Sequence, residues 1–286
     1  MPPMESNPPR DPAGSRAQAG LAEVPVRRLR EGEPRPETDR LAVEAPLEIR
    51  FGGEPFTVLM RTPGDDEELV SGFLYTEGIV TAAAEIRGLE RPREPLDDCD
   101  NRMEVALDPA RAGSVGERRF FASASCGVCG KSSIEDLVIR APAVTAAWTV
   151  PAALLAALPD RLRAAQPLFA ATGGLHGAAL FDRWGALLAA REDVGRHNAV
   201  DKLVGWALRA GRLPLSESIL AVSGRLGFEI VQKAIVAGVP VVVAVGAASS
   251  LAVALADRYG LTLATFVRPG AMNLYGVTSR VETTSR

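Results

Sequence analysis

An α/β fold is predicted, with a mixed or largely parallel sheet in the C-terminal half and a smaller strand-rich region before it. Two patterns carry this. From Ile219 onward, short apolar runs alternate with helical periods: strand Ile219 to Val222, helix Phe228 to Ala237, strand Val239 to Val245, helix Ser250 to Tyr259, strand Leu261 to Val267. That alternation describes β-α-β units. Between residues 40 and 61 the period is instead close to two, and Gly52-Gly53 between apolar runs marks a hairpin turn.

In chain order, residues 1–36 hold eight prolines among polar and charged residues, Pro2 to Pro36, with little apolar periodicity, and are expected to form a flexible tail. Strands are expected at Leu41 to Glu44, Leu47 to Phe51 and Pro55 to Arg61. Asp65-Asp66-Glu67-Glu68 suits the start of a helix, whose apolar face holds Leu69, Phe73 and Leu74. Further strands are read at Met103 to Leu107 and Arg119 to Ala122. Pro151 to Ala165 reads as a helix, Ala178 to Phe181 and Ala186 to Ala190 as a hairpin, and Asn198 to Ala210 as an amphipathic helix stopped by Gly211. This divides the chain into a tail (1–36), a strand-rich region (37–148) and an α/β region (149–286). Ligands of such sheets bind beyond the carboxyl ends of the strands. Ser223-Gly224-Arg225, Gly246-Ala247-Ala248-Ser249 and Arg268-Pro269-Gly270 therefore fall along one rim, as phosphate-holding loops or as ordinary turns.

At 286 residues, 47% hydrophobic and 23% charged, the composition is that of a globular chain. A net charge of −3 argues against a general nucleic-acid surface. Three cysteines make no disulfide framework, and no cleavable apolar leader is apparent, so a cytoplasmic location is expected. Val239 to Ala256 is apolar, but Pro240, Gly246, Ser249 and Ser250 divide it. A buried strand followed by a buried helix fits better than a membrane span.

Two of the three cysteines lie in Ser125-Cys126-Gly127-Val128-Cys129-Gly130-Lys131. An apolar approach, Phe120-Phe121-Ala122, gives way to a glycine-rich turn and then to capping-box patterns, Ser132 with Glu135 or Ser133 with Asp136. A helix N-terminus and Lys131 both favour a thiolate, the nucleophilic form of cysteine. The pair reads as half of a zinc site, a redox pair or a sulfur-transfer pair. Zinc needs four ligands, and only Cys99, His176 and His197 are left to add. The zinc-deaminase pattern, with His-x-Glu upstream of Pro-Cys-x-x-Cys, is missing. Cys99 lies among Asp97, Asp98 and Asp100, whose charge disfavours a thiolate, and is assigned no chemistry.

Glu192 to Lys202 packs many functional groups between a strand and a helix. Asn198 is a possible helix cap and Asp201 suits a first turn. His197 reads as a base, a phosphate contact or a hydrogen-bonded structural residue. His176 stands in the glycine-rich Thr172-Gly173-Gly174-Leu175-His176-Gly177.

Taken together, Ser125 to Lys131, Ala171 to His176, Glu192 to Lys202, Glu229 to Ala234, and Phe266-Val267-Arg268 to Asn273-Leu274-Tyr275 resemble the formate dehydrogenase accessory sulfurtransferase family, FdhD, from about Leu41 to Tyr275. Leu74 to Ile79 also resembles a segment of that family. The resemblance implies a sulfur relay: a cysteine desulfurase passes sulfur to this protein as a persulfide, for delivery to the molybdenum or tungsten of a bis-molybdopterin guanine dinucleotide cofactor used by formate dehydrogenase. It makes Cys126 the persulfide carrier and Cys129 an assisting thiol. It places cofactor binding on Phe266, Val267, Arg268, Pro269, Gly270 and Ala271, and implies no permanent cofactor or metal. It further implies a cytidine-deaminase-like second domain and a homodimer. The chain departs from the family at Leu226-Gly227, where Thr-Ser is usual, at Ala271, where a basic residue is usual, and in Gly246 to Ser250, which lacks a proline. Two other functions stay open: a non-covalent cofactor chaperone and a thiol-disulfide oxidoreductase.

Overall fold

The computed structural model describes residues 20–92, 99–111 and 141–283. Its centre is a six-stranded mixed sheet made by β8 (His176–Asp182), β9 (Leu187–Asp193), β10 (Ser218–Val222), β11 (Val241–Ala244), β12 (Thr262–Arg268) and β13 (Ala271–Gly276), in the order β13-β12-β11-β10-β8-β9. Strands β10, β11 and β12 are parallel; β8, β9 and β13 join by antiparallel ladders. The hairpin β8-β9 and the alternating strands agree with the sequence reading. Strand β13 carries alternating partly buried and exposed residues behind Pro269-Gly270, too weak a pattern to stand out alone.

Strand residues alternate cleanly between two apolar layers, as the two-residue period of a strand requires. Leu180, Leu220, Val222, Val242 and Leu263 face the core shared with α4 (Arg196–Arg209), α5 (Phe228–Ala237) and α6 (Ser250–Tyr259). Phe181, Ile219, Ala221, Val241 and Val243 face the opposite core, closed by Leu155, Leu158 and Leu162 of α2 (Ala152–Ala164). Helices α5 and α6 both end at glycines in the left-handed region, Gly238 and Gly260, so the chain turns at once into the next strand. A short helix α3 (Pro167–Thr172) connects α2 to the central sheet, and short strands β7 (Val150–Pro151) and β14 (Val281–Glu282) pair beside it.

A second, four-stranded sheet has the order β4-β3-β6-β5, from β3 (Ala45–Phe51), β4 (Glu54–Arg61), β5 (Ile86–Glu90) and β6 (Arg102–Leu107). Helix α1 (Asp66–Thr76) covers it, burying Leu69, Val70, Phe73 and Leu74 against Leu47, Ile49 and Met103. The acidic run starts this helix, but its carboxylates are spent on ion pairs as much as on the dipole. Arg61 grips Asp66 through Nε and Nη2, both at 3.0 Å, and Arg191 grips Glu68 at 2.6 and 2.7 Å.

Residues 21–36, expected within a flexible tail, instead form a hairpin: β1 (Leu21–Arg30) pairs antiparallel with β2 (Glu33–Ala42). Three of the eight prolines that suggested a tail fall on one parity of the ladder, Pro25↔Thr38, Arg27↔Pro36 and Leu29↔Pro34, and the other five lie outside the described residues. A ribbon of two edge strands tolerates proline at positions whose N–H would point away from the partner. The expected strand Arg119 to Ala122 lies outside the described residues.

Helices α1 and α4 cross with their backbones in contact at Gly72 and Gly205. A Cβ on Gly72 would lie 1.8 Å from the Asp201 carbonyl oxygen, and one on Gly205 would lie 1.8 Å from that of Glu68. Neither neighbour is a flexible side chain, so the helices would have to separate. Gly205→Ala is expected to destabilise the protein by about 1–3 kcal/mol, the usual cost of overpacking, read as a lowered urea midpoint.

Candidate functional site

The carboxyl ends of β9, β10, β11 and β12 and the start of β8 meet at one rim of the central sheet. Neighbouring loops are stitched by backbone and hydroxyl contacts. Ser223 Oγ accepts from Gly177 N–H at 2.9 Å, while Ser223 N–H donates to Gly177 O at 2.9 Å. Gly246 N–H donates to Gly224 O at 3.2 Å, and Phe266 N–H to Gly246 O at 3.1 Å. Gly246 must be glycine for this approach, because a Cβ there would lie 2.8 Å from Gly224 O. These contacts fix the positions of Ser223-Gly224-Arg225 and Gly246-Ala247-Ala248-Ser249.

Phe266 to Ala271 leaves β12 and turns into β13. Phe266 adopts φ 50°, a left-handed conformation that costs a β-carbon residue about 1–2 kcal/mol, and the residue is 44% exposed. The register shifts between Thr265 and Arg268, so the strain coincides with a bulge. Val267 is buried, while Arg268, Pro269, Gly270 and Ala271 are exposed.

Beside this turn lies a cavity of about 600 Å³ between α2, α3 and the rim. Val267, Arg268 and Pro269 line it, as do His176 and Ser223. Arg163 and Gln166 from the end of α2 also line it. Sequence reasoning missed these two. They sit in an ordinary amphipathic helix and its exit, with no local signal. The volume is that of a small-molecule site.

The group-rich segment 192–202 divides into two roles. Asp193 is fully buried and accepts four contacts: Lys202 Nζ at 2.7 Å and Thr62 N–H at 3.1 Å on Oδ2, and Gly195 N–H and Asn198 Nδ2, both at 2.9 Å, on Oδ1. Lys202 Nζ also donates to Thr62 O at 3.0 Å and Glu192 O at 3.2 Å. Asn198 is no helix cap: Gly195 holds that position, and the Asn198 amide donates instead to Asp193 and to Met60 O at 2.7 Å. Asp201, expected in a first turn, is the sixth residue of α4 and is buried against Lys233 Nζ at 2.9 Å and Thr76 Oγ1 at 2.8 Å. Burial pushes its carboxyl upward against the opposing pull of Lys233, while Asp201 and Glu77 hold Lys233 above the ordinary lysine range despite its burial. These groups join the two sheets and do not face a ligand.

What remains for chemistry at the rim is His176, Arg196, His197 and Glu229. His197 Nε2 is 3.7 Å from Glu229 Oε2, an ion-pair distance too long for a hydrogen bond, and has no hydrogen-bond partner among the described residues. His197 is the main cause that lowers the Glu229 carboxyl below its ordinary range. Burial, then the positive charges of Arg196 and His197, lower His176, so it favours the neutral imidazole. An unfolded histidine takes its proton near pH 6.5. Because the folded value lies lower, His176 subtracts stability as pH falls from about 6.5 toward the folded value, and nothing above. Thermal melts across that window are expected to fall less steeply for His176→Asn than for the parent.

Cys126 and Cys129 lie outside the described residues, as does the expected cap at Ser132 or Ser133. Among the described residues no group of three or more His, Cys, Asp or Glu is placed to hold a metal ion. No described helix is long and apolar enough to cross a membrane; Val239 to Ala256 is strand β11 followed by most of helix α6.

The fold and rim are those of an α/β protein with a cavity of small-molecule size beside a strained strand end. The chain belongs to the FdhD/NarQ family, whose model matches residues 42–282. It is 51% identical over 258 residues to the sulfur carrier protein FdhD of Mycobacterium tuberculosis, covering 86% of this chain and 92% of that protein. To the protein of the same name in Streptomyces coelicolor it is 47% identical over 270 residues, covering 90% and 94%. A crystal structure from Desulfotalea psychrophila, provisionally described as a formate dehydrogenase accessory protein, superposes with a TM-score of 0.72 at 28% identity. That match covers 92% of this chain and 99% of the other.

Proposed function

We propose that this protein carries sulfur to formate dehydrogenase as a persulfide on Cys126. The observation that carries the reading is its identity of about half with proteins named sulfur carrier protein FdhD over most of both chains. In the loading step the Cys126 thiolate attacks the outer sulfur of a persulfide on a cysteine desulfurase. The S–S bond of the donor breaks, the donor cysteine leaves as thiolate, and Cys126 holds the sulfane sulfur. No net oxidation occurs. The helix-start and Lys131 pattern around the pair favours the thiolate that this exchange requires. Cys129 is assigned the assisting thiol.

The sulfur's destination is the metal of a bis-molybdopterin guanine dinucleotide cofactor, bound as client at Phe266, Val267, Arg268, Pro269, Gly270 and Ala271. The residues present fit a nucleotide-bearing, anionic ligand. A cavity of about 600 Å³ adjoins this stretch, Arg163 and Arg268 offer two positive charges against the single carboxylate of Asp160, and Gln166 offers a buried amide with an unpartnered donor. The cofactor supplies the metal that accepts sulfur; the protein supplies the thiol and the cradle. Further parts of the proposal are a sulfurtransferase acting in the cytoplasm as a homodimer, with a desulfurase and formate dehydrogenase as partners. A cytidine-deaminase-like description of the second half is supported by a strand order that places one antiparallel hairpin beside three parallel strands.

The test is intact mass after incubation with a cysteine desulfurase and L-cysteine. A gain of one sulfur that a reductant removes supports the relay. No gain, with the desulfurase active on another acceptor, sinks it and favours the non-covalent chaperone.

A further inference from the structure

Gln166 is 4% exposed, lines the rim cavity, and its Nε2 has no hydrogen-bond partner among the described residues. A buried amide donor left unpaired costs about 1–3 kcal/mol, and folds seldom keep one without use. This one is held by design of the neighbouring strand. A Cβ on Gly177 would lie 2.3 Å from Gln166 Cδ and Nε2, so β8 carries glycine at the one place where any side chain would evict the amide. The backbone of Gln166 is occupied in turns, its N–H donating to Arg163 O at 3.2 Å and its carbonyl accepting Ala170 N–H at 3.0 Å. Only the side chain is idle.

The buried lining around it, Leu162, Leu175 and Val267, is apolar, whereas Arg163 and Arg268 are exposed. A bare phosphate satisfies the guanidinium groups and leaves this apolar part empty. A flat heterocycle with one acceptor fills it and satisfies the amide. The terminal torsion of glutamine is broad and roughly two-fold, so the donor can turn toward such a ligand at little cost.

We propose that Gln166 is the residue that recognises the heterocyclic part of a nucleotide-type ligand in this cavity, donating its amide proton to an acceptor on the ring, with Arg163 and Arg268 supplying countercharge. The assignment rests on the cavity being the cofactor's nucleotide cradle, and adds to it a residue outside Phe266 to Ala271.

Such a role has a signature that a structural glutamine lacks: stability and binding move in opposite directions. Gln166→Met, a near-isosteric apolar replacement, removes the unpaired donor from the free protein and also the contact with the ligand. Guanosine monophosphate and inorganic phosphate serve as probes in calorimetric titration of the full chain, with thermal melts of each free protein. The expected result is a melting temperature raised by about 2 °C or more, guanosine monophosphate binding weakened about three- to tenfold, and phosphate binding unchanged. Gln166→Leu is expected to repeat this, guarding against a packing effect particular to methionine. Unchanged nucleotide affinity in both variants overturns the proposal alone, as does a lowered melting temperature with nucleotide and phosphate weakened alike. A parent protein that binds no nucleotide overturns the cradle reading and this assignment with it, while persulfide loading in the mass experiment would still stand.

Discussion

Cys126→Ala is expected to abolish persulfide loading and, with it, the activation of formate dehydrogenase in cells that depend on this protein. The effect should be near total, because the step replaces one S–S bond with another and the accepting sulfur is assigned to Cys126, with Cys129 only assisting. Cys129→Ala is expected to retain loading in the same assay, since its assigned role is to assist. Intact mass separates the two variants directly. Formate-dependent dye reduction in extracts then shows whether loading and activation fall together. Loss of activation with Cys126→Ala loading normally would move the carrier to Cys129 and reverse the assignment. Thermal melts matching the parent are expected for both variants, which separates lost chemistry from lost folding.

Asp193→Ala is the substitution expected to cost the fold most. Breaking a buried ion pair by removing one partner typically costs about 3–5 kcal/mol, because the other charge stays buried. Here the removed carboxylate also leaves the Thr62 and Gly195 N–H groups without their acceptor and the Asn198 amide with Met60 O alone, while Lys202 keeps only two carbonyls. The reverse change, Lys202→Met, leaves Asp193 with three donors and should cost less. Urea unfolding of the two single variants tests the order. An Asp193→Ala cost equal to or below that of Lys202→Met would contradict this account of the network.

The central sheet was readable because its strands are buried on both faces. Val239 to Val245 is a continuous apolar run and Leu261 to Val267 is broken only by Thr262 and Thr265, with a capped helix between them, and such runs admit few alternatives. The hairpin at residues 21–42 was not, because its prolines are visible in sequence while the ladder parity that accommodates them exists only once the strands pair. Asn198 was misread for a related reason. A polar residue at a helix start is a cap on local grounds, and only the arrival of Met60 and Asp193 gives its amide better partners. At the site, the glycine-rich turns and Arg268-Pro269-Gly270 stood out as loops at strand ends, whereas Phe266 to Ala271 as a stretch came only from the family resemblance. Gln166 became visible only when β8 was seen to carry Gly177 beside it.

The crossing of α1 and α4 has a bearing on how the molecule comes apart. Helix α1 covers the smaller sheet and α4 the larger, yet at Gly72 and Gly205 no side chain separates them. The ion pairs Lys202–Asp193 and Lys233–Asp201 lie along the same seam. Both pairs belong to the larger half and bond to Thr62 and Thr76 of the smaller, so opening the seam would expose buried charge, and partial unfolding that frees one sheet and spares the other is uphill. The two sheets form one cooperative unit, and the slowest amide exchange in the chain belongs at this boundary as much as within either core.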